Sequence, residues 1–441
     1  MKTIQPLVPS RLLVAAWAAA MMVCPLHAKE QEFREPPLPV IPQRTFTVTD
    51  SGAKGDGATD NAKAIQSAID ACAKAGGGAV IVPKGDFLCG PIRLASSINL
   101  RVEKGATLHM LPLDKYPGGT KEAANFISGA GLQDVCISGQ GTIDGQGAAW
   151  WPFAKQKGAK RPIMISLSHC DRVLIEKLTL RNSPMFHIAI GGNSSNVTVS
   201  GVTIRAPRSD DPVTPSHNTD ACDVSGSNIL IKDCDVSVGD DNFTCGSNTS
   251  NVFITRCTYG SGHGLSIGSY TRGGVTNFTV TDCTFKGTEC GIRIKSDRDR
   301  GGVVSNLTFR NLRMTDVRYP ILIYGTYMAE GREFRDLTKI TPEIAAKYPA
   351  APVTKLTPVY RDITFSDITA TTESGRRAGL IWGLPEAPAS NVLLRNVNIT
   401  ADKPFGIFNA KGVRFENCKI TTPDGVNKFA TTNAQVEILP R

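Results

Sequence analysis

Four short polar signatures recur on a regular beat between residues 218 and 295: Asn218-Thr219-Asp220, Gly239-Asp240-Asp241, Gly262-His263-Gly264 and Arg293-Ile294-Lys295. Each adjoins an apolar-x-apolar pair, namely Cys222/Val224, Phe243/Cys245, Leu265/Ile267 and Ile292/Ile294. With those pairs in one register, Asp220, Asp241 and His263 fall in one column, two residues before the first apolar position. Arg293 and Lys295 take the outward alternate positions of the next repeat. If each repeat is one rung of a stacked parallel sheet, rungs lie about 4.8 Å apart and these groups meet on one surface. Three carboxylates, an imidazole and two cations in one groove read as a hydrolase site for an acidic polymer.

The element that must position them is itself repeated. The pattern h-x-h-x-x-h-x-h reads VLIEKLTL from Val173, VTVSGVTI from Val197, ILIKDCDV from Ile229, VFITRCTY from Val252 and FTVTDCTF from Phe278. It continues as LTFRNLRM from Leu307, ITFSDITA from Ile363, VLLRNVNI from Val392 and VRFENCKI from Val413. Most copies are 21 to 32 residues apart, and the step from Leu312 to Ile368 is 56. Short alternating strands at such a period predict a solenoid, because one repeat cannot bury its own apolar face. Strands too short for βαβ crossovers, joined by polar turns, predict an all-β parallel β-helix. Cys234, Cys257 and Cys283 then share one inward column, where free cysteine acts as a small apolar filler.

An open solenoid end needs a cover. Thr59-Asp60 followed by Ala64, Ile65, Ala68, Ile69 and Cys72 predicts an N-capped amphipathic helix that stops at Gly76-Gly77-Gly78, and it is expected to cap the N-terminal edge. The long step holds about thirty extra residues, 326–358, with a short helical stretch opening at Thr341-Pro342-Glu343 and running to Tyr348. An insertion of that length beside the groove is expected to shape substrate access.

Across its 441 residues the chain carries a formal net charge of +9, with Lys2 and Arg11 supplying two of those charges. The first 28 residues read as a cleavable secretory signal: two basic residues, an apolar run from Leu12 to Val23, and Pro25-Leu26-His27-Ala28 before Lys29. The run is too short to favour a membrane span. Residues 29–44, rich in Pro and Glu, are expected to form a linker or strap before a catalytic domain over 45–441. Soluble export to the periplasm or medium is expected, as a monomer with no membrane partner. Moderate positive charge suits a polyanionic substrate. No dense Lys/Arg run interleaves with aromatics, so nucleic acid is not expected as a partner. Twelve cysteines less Cys24 leave an odd number, no CxxC occurs, and the six histidines are scattered, so a zinc site is not expected; no cofactor is expected either.

NTD, GDD, GHG and RIK, in that order, resemble the signatures of the polygalacturonase family of pectin hydrolases. Upstream, VTDSGAKGDGATDNAKAIQSAIDAC, GGGAVIVPKGDF and GTIDGQGAAWW resemble N-terminal boxes of the same right-handed parallel β-helix superfamily. One DD or GHG alone would carry no weight; four in order on consecutive rungs are specific. The resemblance implies hydrolysis of α-1,4 galacturonan with inversion and no metal. Inversion needs a protonated acid at the leaving oxygen and a carboxylate holding water, roughly 6.5–9.5 Å apart. Clustered aspartates raise one another's pKa, so one can stay protonated. Asp220 and Asp241, sharing a column, suit the water. Asp240, one residue earlier and aimed differently, suits the acid, and the family's DD motif gives the same roles.

Gly262 and Gly264 let the chain turn tightly and bring His263 toward Asp240, which it is expected to keep oriented and protonated. Arg293, as a fork, and Lys295, as a point charge, are expected to bind a galacturonate carboxylate and to matter little for stability. Tyr327, in ILIYGTY, matches the family's substrate-contacting tyrosine. Asn218, orienting its turn, and His187, in NSPMFHI on the same face, complete the expected binding set. Three departures from the family stand out. Cysteines usual after DD and shortly before GHG are replaced by Asn242 and by Gly260-Ser261, and Ala221 stands where Gly usually follows NTD. RIKSDRDRGG, with Arg298 and Arg300, resembles bacterial forms, many of which attack chain ends. Other readings are a galacturonohydrolase acting on rhamnogalacturonan or substituted pectin, and a non-catalytic β-helix adhesin or carbohydrate-binding protein. A lyase would need calcium-binding carboxylates and a basic proton abstractor.

Overall fold

A computed structural model describes residues 33–439, so the expected signal (1–28) and the start of the expected strap lie outside the described residues. From Glu35 onward the chain forms one compact unit. Among the described residues, 33 strands join one continuous network in which every pairing is parallel except that of Lys419–Thr422 with Gly425–Val426. The fold is a parallel β-helix. Its register matches the repeat: Val173, Val197, Ile229, Val252, Phe278, Leu307, Ile363, Val392 and Val413 pair in succession down one ladder.

Each copy of the repeat turns a corner. The first h-x-h lies in one ladder and the second in the next, and the residue between them adopts a left-handed backbone. Those corner residues are Lys177, Gly201, Asp233, Arg256, Asp282, Asn311, Asp367, Asn396 and Asn417. A second left-handed corner precedes each copy, and it is mostly asparagine: Asn196, Asn228, Asn251, Asn277, Asn306 and Asn391. Asparagine tolerates this conformation because its short amide can bond locally. Here the amides also bond rung to rung, Asn228 to Asn196 at 3.2 Å, Asn251 to Asn228 at 3.1 Å and Asn277 to Asn251 at 3.0 Å.

Inside, the core is a column of stacked aliphatic and aromatic side chains, among them Phe243, Phe278, Phe309 and Phe365 with successive ring centroids 6.0, 6.2 and 5.0 Å apart. Cys234, Cys257 and Cys283 are buried in it, and all eleven cysteines of the described residues are unpaired. The expected amphipathic helix spans Ala62–Lys74 and buries Ile65, Ala68, Ile69 and Cys72 in the main core. Residues 35–44 are tied across several rungs, by a Glu35–Lys232 ion pair at 3.1 Å and by the Val40 N–H on Asp134 at 2.8 Å. Among the described residues no helix is long and apolar enough to cross a membrane.

One ladder positions the site. It runs through Ile188–Ser200, Cys222–Lys232, Phe243–Cys245, Leu265–Ile267, Cys290–Lys295, Tyr319–Tyr324, Leu380–Trp382 and Phe405–Glu416. Its outward column reads Asp223, Thr244, Ser266, Arg293, then Leu322 and Leu380. The change from polar to apolar falls where the insertion begins. Leu322, Tyr324, Leu380, Trp382 and Phe408 form a second hydrophobic core with Ala329, Ile340, Ala345 and Tyr348 of the insertion. The expected short helix is there, over Pro342–Ala346, with the Thr341 hydroxyl accepting the Ile344 N–H.

Candidate active site

The strand register places Cys222, Phe243, Leu265 and Ile292 in line, so the polar turns that precede these strands are stacked as well. Backbone hydrogen bonds fix the stack: Ala221 N–H to the Asp241 carbonyl at 2.9 Å, and His263 N–H to the Asp240 carbonyl at 2.8 Å. Gly264 has a positive φ of 82°, and a Cβ there would run into the Cys290 carbonyl. A side chain at Gly262 would likewise strike Asn242 and the Asp240 carbonyl. The GHG spacing is thus a steric requirement of close stacking.

The turns open on a pocket of about 620 Å³ whose lining includes Asn218, Asp220, Asp240, Asp241 and Lys295. Asp240 is the best-served of the three acids. Its Oδ1 lies 2.9 Å from His263 Nδ1 and accepts the Asp241 N–H, while Oδ2 accepts the Asn218 N–H at 3.2 Å. Burial pushes the Asp240 pKa up, but the His263 hydrogen bond and charge outweigh it and leave it lowered. His263 responds in kind: burial lowers its pKa, and the Asp240 hydrogen bond and charge raise it overall.

Asp241 is buried and carries two cations. Lys295 Nζ donates to Oδ2 at 3.1 Å, Arg293 donates to Oδ1, and the Ser266 hydroxyl donates to the same oxygen at 2.9 Å. Burial opposes ionisation, yet the Arg293 and Lys295 charges hold Asp241 well below the usual carboxylate range. Asp220 has neither advantage. It is buried, its Oδ1 has no partner, and burial followed by the charges of Asp240 and Asp241 pushes its pKa well up. Asp240, Asp241 and His263 bring ligand-type atoms within 4.8 Å of one another. Both Asp241 oxygens are already claimed by cations, so this donor set does not suit a further one.

This geometry meets a matching family. The model for "Glycosyl hydrolases family 28" matches residues 72–419. The chain belongs to glycosyl hydrolases family 28. It is a glycoside hydrolase. A maize exopolygalacturonase is 32% identical, covering 84% of this chain and 88% of that protein. An endo-polygalacturonase of Pectobacterium carotovorum subsp. carotovorum is 31% identical, covering 78% and 85%. Among solved structures, the Erwinia carotovora polygalacturonase superposes with a TM-score of 0.65 at 28% identity, covering 91% of this chain and 98% of that one. A hyperthermoactive exopolygalacturonase from Thermotoga maritima shares the fold, with a TM-score of 0.74 at 24% identity, covering 88% and 94%.

Within this family 28 site the structure corrects several expectations. His187 is not on the groove face: it is fully buried, with Nδ1 3.3 Å from the Asp220 carbonyl, and burial lowers its pKa to about 4. It is a neutral core histidine behind the Asp220 turn. Arg293 and Lys295 do alternate outward, but each is only 6% exposed, because Asp241 draws them under the pocket floor. Lys295 still reaches the pocket and lies 5.2 Å from the ring centroid of Tyr327, whereas Arg293 serves Asp241. The acid pushed toward its neutral form is Asp220, not Asp240, because burial beside two charged neighbours raises Asp220 while His263 stabilises the Asp240 carboxylate. Arg298 is not available to a substrate: it holds Glu386 at 2.6 and 3.0 Å and the Pro349 carbonyl at 2.7 Å. Arg300 pairs with Asp299 at 2.7 Å and lies over Tyr270.

Other residues join the site. Asp223, outward between Cys222 and Val224, lines the pocket, and burial raises its pKa to about 6. Its alternate position in a polar column was the available signal. Arg161 donates to Asn218 Oδ1 and to the His217 carbonyl, both at 2.8 Å, and so fixes the Asn218 turn. Nothing periodic in KRPIM marks it. Glu289 approaches His263 Nε2 at 3.4 Å. Asn242 donates to the Ser261 carbonyl at 2.9 Å and accepts the Gly264 N–H at 2.8 Å. An amide thus joins the two turns.

Proposed function

We propose that this protein hydrolyses α-1,4-linked polygalacturonate, the backbone of pectin, by inversion and from chain ends. Asp240 serves as general acid. It is the most accessible of the three, its side chain 19% exposed against 5% for Asp241, so it suits a bulky glycosidic oxygen. The recessed Asp220 and Asp241 suit a water molecule. Asp220 and Asp240 hold one proton between them as a coupled pair. The productive state carries it on Asp240, which hands it to the leaving oxygen. In that state Asp220, relieved of its neighbour's charge, is already ionised, and as Asp240 gives up its proton Asp220 and Asp241 accept one from the attacking water. Asn218 and His263 orient Asp240, and Lys295, bordered by Tyr327, offers a positive charge to a sugar carboxylate.

The observation that carries chain-end action is the change in the outward column from Arg293 to Leu322. Beyond that rung the face is apolar and covered by the insertion, which supports a groove closed on one side. A substrate outside the cell fits the secretory signal expected at the N terminus.

Digestion of polygalacturonate tests both halves. Monogalacturonate appearing early with slow loss of viscosity, and a product of inverted anomeric configuration by NMR, are expected. Mid-length oligomers with fast viscosity loss would rule out chain-end action. A folded Asp240→Asn variant with near-normal turnover would overturn the acid assignment, since removing it should cost about 10²–10⁴ in rate or more.

A further inference from the structure

His263 is the wall between two openings. Asp240 lines the substrate pocket, whereas His263 lines a separate small cleft together with Glu289, Arg318 and Asp210. The imidazole therefore shows Nδ1 to the acid, at 2.9 Å, and Nε2 to the Glu289 carboxylate, at 3.4 Å. Glu289 is held in place by its own backbone, whose N–H donates to the Gly262 carbonyl at 2.8 Å and whose carbonyl accepts the Tyr319 N–H at 2.9 Å. Its side chain is one-third exposed and so exchanges protons with solvent through the second cleft.

We propose that Glu289 is a positioning residue that keeps His263 doubly protonated, so that its Nδ1–H stays directed at Asp240 into the alkaline range. This rests on the hydrolase reading above. The chemistry is a carboxylate–imidazole–carboxylate line. An imidazole with one carboxylate must choose which nitrogen carries its proton, whereas one between two carboxylates gains from protonating both. In the line, the Nδ1 proton is shared with Asp240 Oδ1, and a proton lost from Asp240 to the leaving oxygen is replaced from water in the pocket. No bond other than N–H and O–H changes in this exchange.

The other charges facing these groups work in both directions. Asp241 Oδ1 lies 3.9 Å from His263 Nδ1 and adds to the imidazolium's stability, while Arg293, whose Nη1 is 4.0 Å from Glu289 Oε1, opposes it. In the cleft Arg208 and Asp210 pair with each other, and Arg318 is shared between Asp210 and Glu373. Glu289 is thus the carboxylate that faces Nε2, and its charge works against that of Arg293. Burial alone would disfavour the charged imidazole, so a dedicated partner on Nε2 gives the site a wider pH range.

The test is Glu289→Gln, which preserves shape and removes charge. NMR titration of His263 in the folded, substrate-free protein is expected to show the variant losing its imidazolium at lower pH than wild type. This readout needs no turnover, so it stands even if polygalacturonate is not the substrate. On polygalacturonate, the alkaline limb of kcat/KM should move to lower pH, with the loss at its alkaline end larger than at its acid end by roughly tenfold. Glu289→Asp, which restores the charge, should recover part of the limb. Superimposable His263 titrations, or a uniform loss at every pH, would overturn the proposal and make Glu289 merely structural. Wild type failing to cleave polygalacturonate while the two titrations differ would count against the substrate reading and not against this one.

Discussion

Lys295 Nζ meets Asp241 Oδ2 at 3.1 Å beneath the substrate pocket, with both side chains less than a tenth exposed. With Arg293 on the other oxygen, Asp241 is an anion held between two cations in a place where water screens little. Outward alternation alone suggested surface cations whose removal leaves stability untouched. Burial reverses that expectation. Taking one partner from a buried pair leaves an uncompensated charge, at about 3–5 kcal/mol. Arg293→Ala should therefore lower the melting temperature markedly as well as turnover, and Lys295→Ala should do so to a smaller degree because Arg293 remains. Unchanged melting of Arg293→Ala, measured by calorimetry at neutral pH, would count against the buried network.

Asp223 gives the pH dependence a definite sign. Its folded pKa is raised from 3.8 to about 6 by burial, so the folded state binds its proton more tightly than the unfolded chain does. Stability is then lost as pH rises from about 3.8 to about 6, and the cost is constant above that window. Asp223→Asn removes the charge and should stabilise the protein at pH 7 by on the order of 2–3 kcal/mol, with no gain near pH 3. Asp220→Asn should shift stability in the same direction while abolishing most turnover. Denaturant unfolding at several pH values checks both. An Asp223→Asn gain that persists at pH 3 would point to packing instead of ionisation.

Much of this was legible in the residue pattern. The repeat gave the ladder register to the residue, and the column of Asp220, Asp241 and His263 needed only that register. What stayed hidden was depth. Period-two alternation says that Arg293 faces outward, but not that Asp241 pulls it under the pocket floor. The left-handed corners are present in the sequence as asparagine before six of the nine copies, with Arg172, Asp362 and Gly412 before the others, and as Asp, Asn or Gly at the fifth position except for Lys177 and Arg256; the apolar periodicity does not carry them. Arg161 and Glu289 could not have been found this way, since each acts through groups brought close only by stacking and neither belongs to a repeat. His187 was misplaced because a histidine beside a polar turn looks the same whether its ring points in or out.

Asn242 ties together the two turns that carry the acids and the imidazole. Its amide is buried, and its two hydrogen bonds join the Asp240-Asp241 turn to the Gly262-His263 turn. Asn242→Ala leaves the Ser261 carbonyl and the Gly264 N–H without these partners, at about 1–3 kcal/mol. The loss should show as lower stability together with lower kcat, because the two turns set the Asp240–His263 distance. Asn242→Asp retains one acceptor and should fall between the two. Stability loss with unaltered kcat would mean the turns hold their spacing without the amide.

Arg298 fastens the insertion to the body of the helix, and that makes chain-end action open to direct attack. Its guanidinium grips both oxygens of Glu386, the Pro349 carbonyl, and the Tyr348 hydroxyl at 3.1 Å, while its carbon lies 4.7 Å from the Tyr348 ring centroid. Tyr348 in turn packs edge-on against Trp382, on the apolar stretch that continues the groove's own ladder. Arg298→Ala removes the clamp from a site outside the acid cluster, so the hydrolytic residues should keep their geometry. With the insertion loosened, a polymer can extend past the Lys295 rung, and internal bonds become reachable. The expected outcome is a higher ratio of viscosity loss to reducing ends released, and oligomers longer than the monomer among early products. Removing the whole insertion would expose Leu322, Leu380, Trp382 and Phe408 and invite aggregation, so the single substitution is the cleaner probe. If Arg298→Ala releases only monogalacturonate at a viscosity profile identical to wild type, while limited proteolysis shows the insertion freed, then the insertion is not what closes the groove.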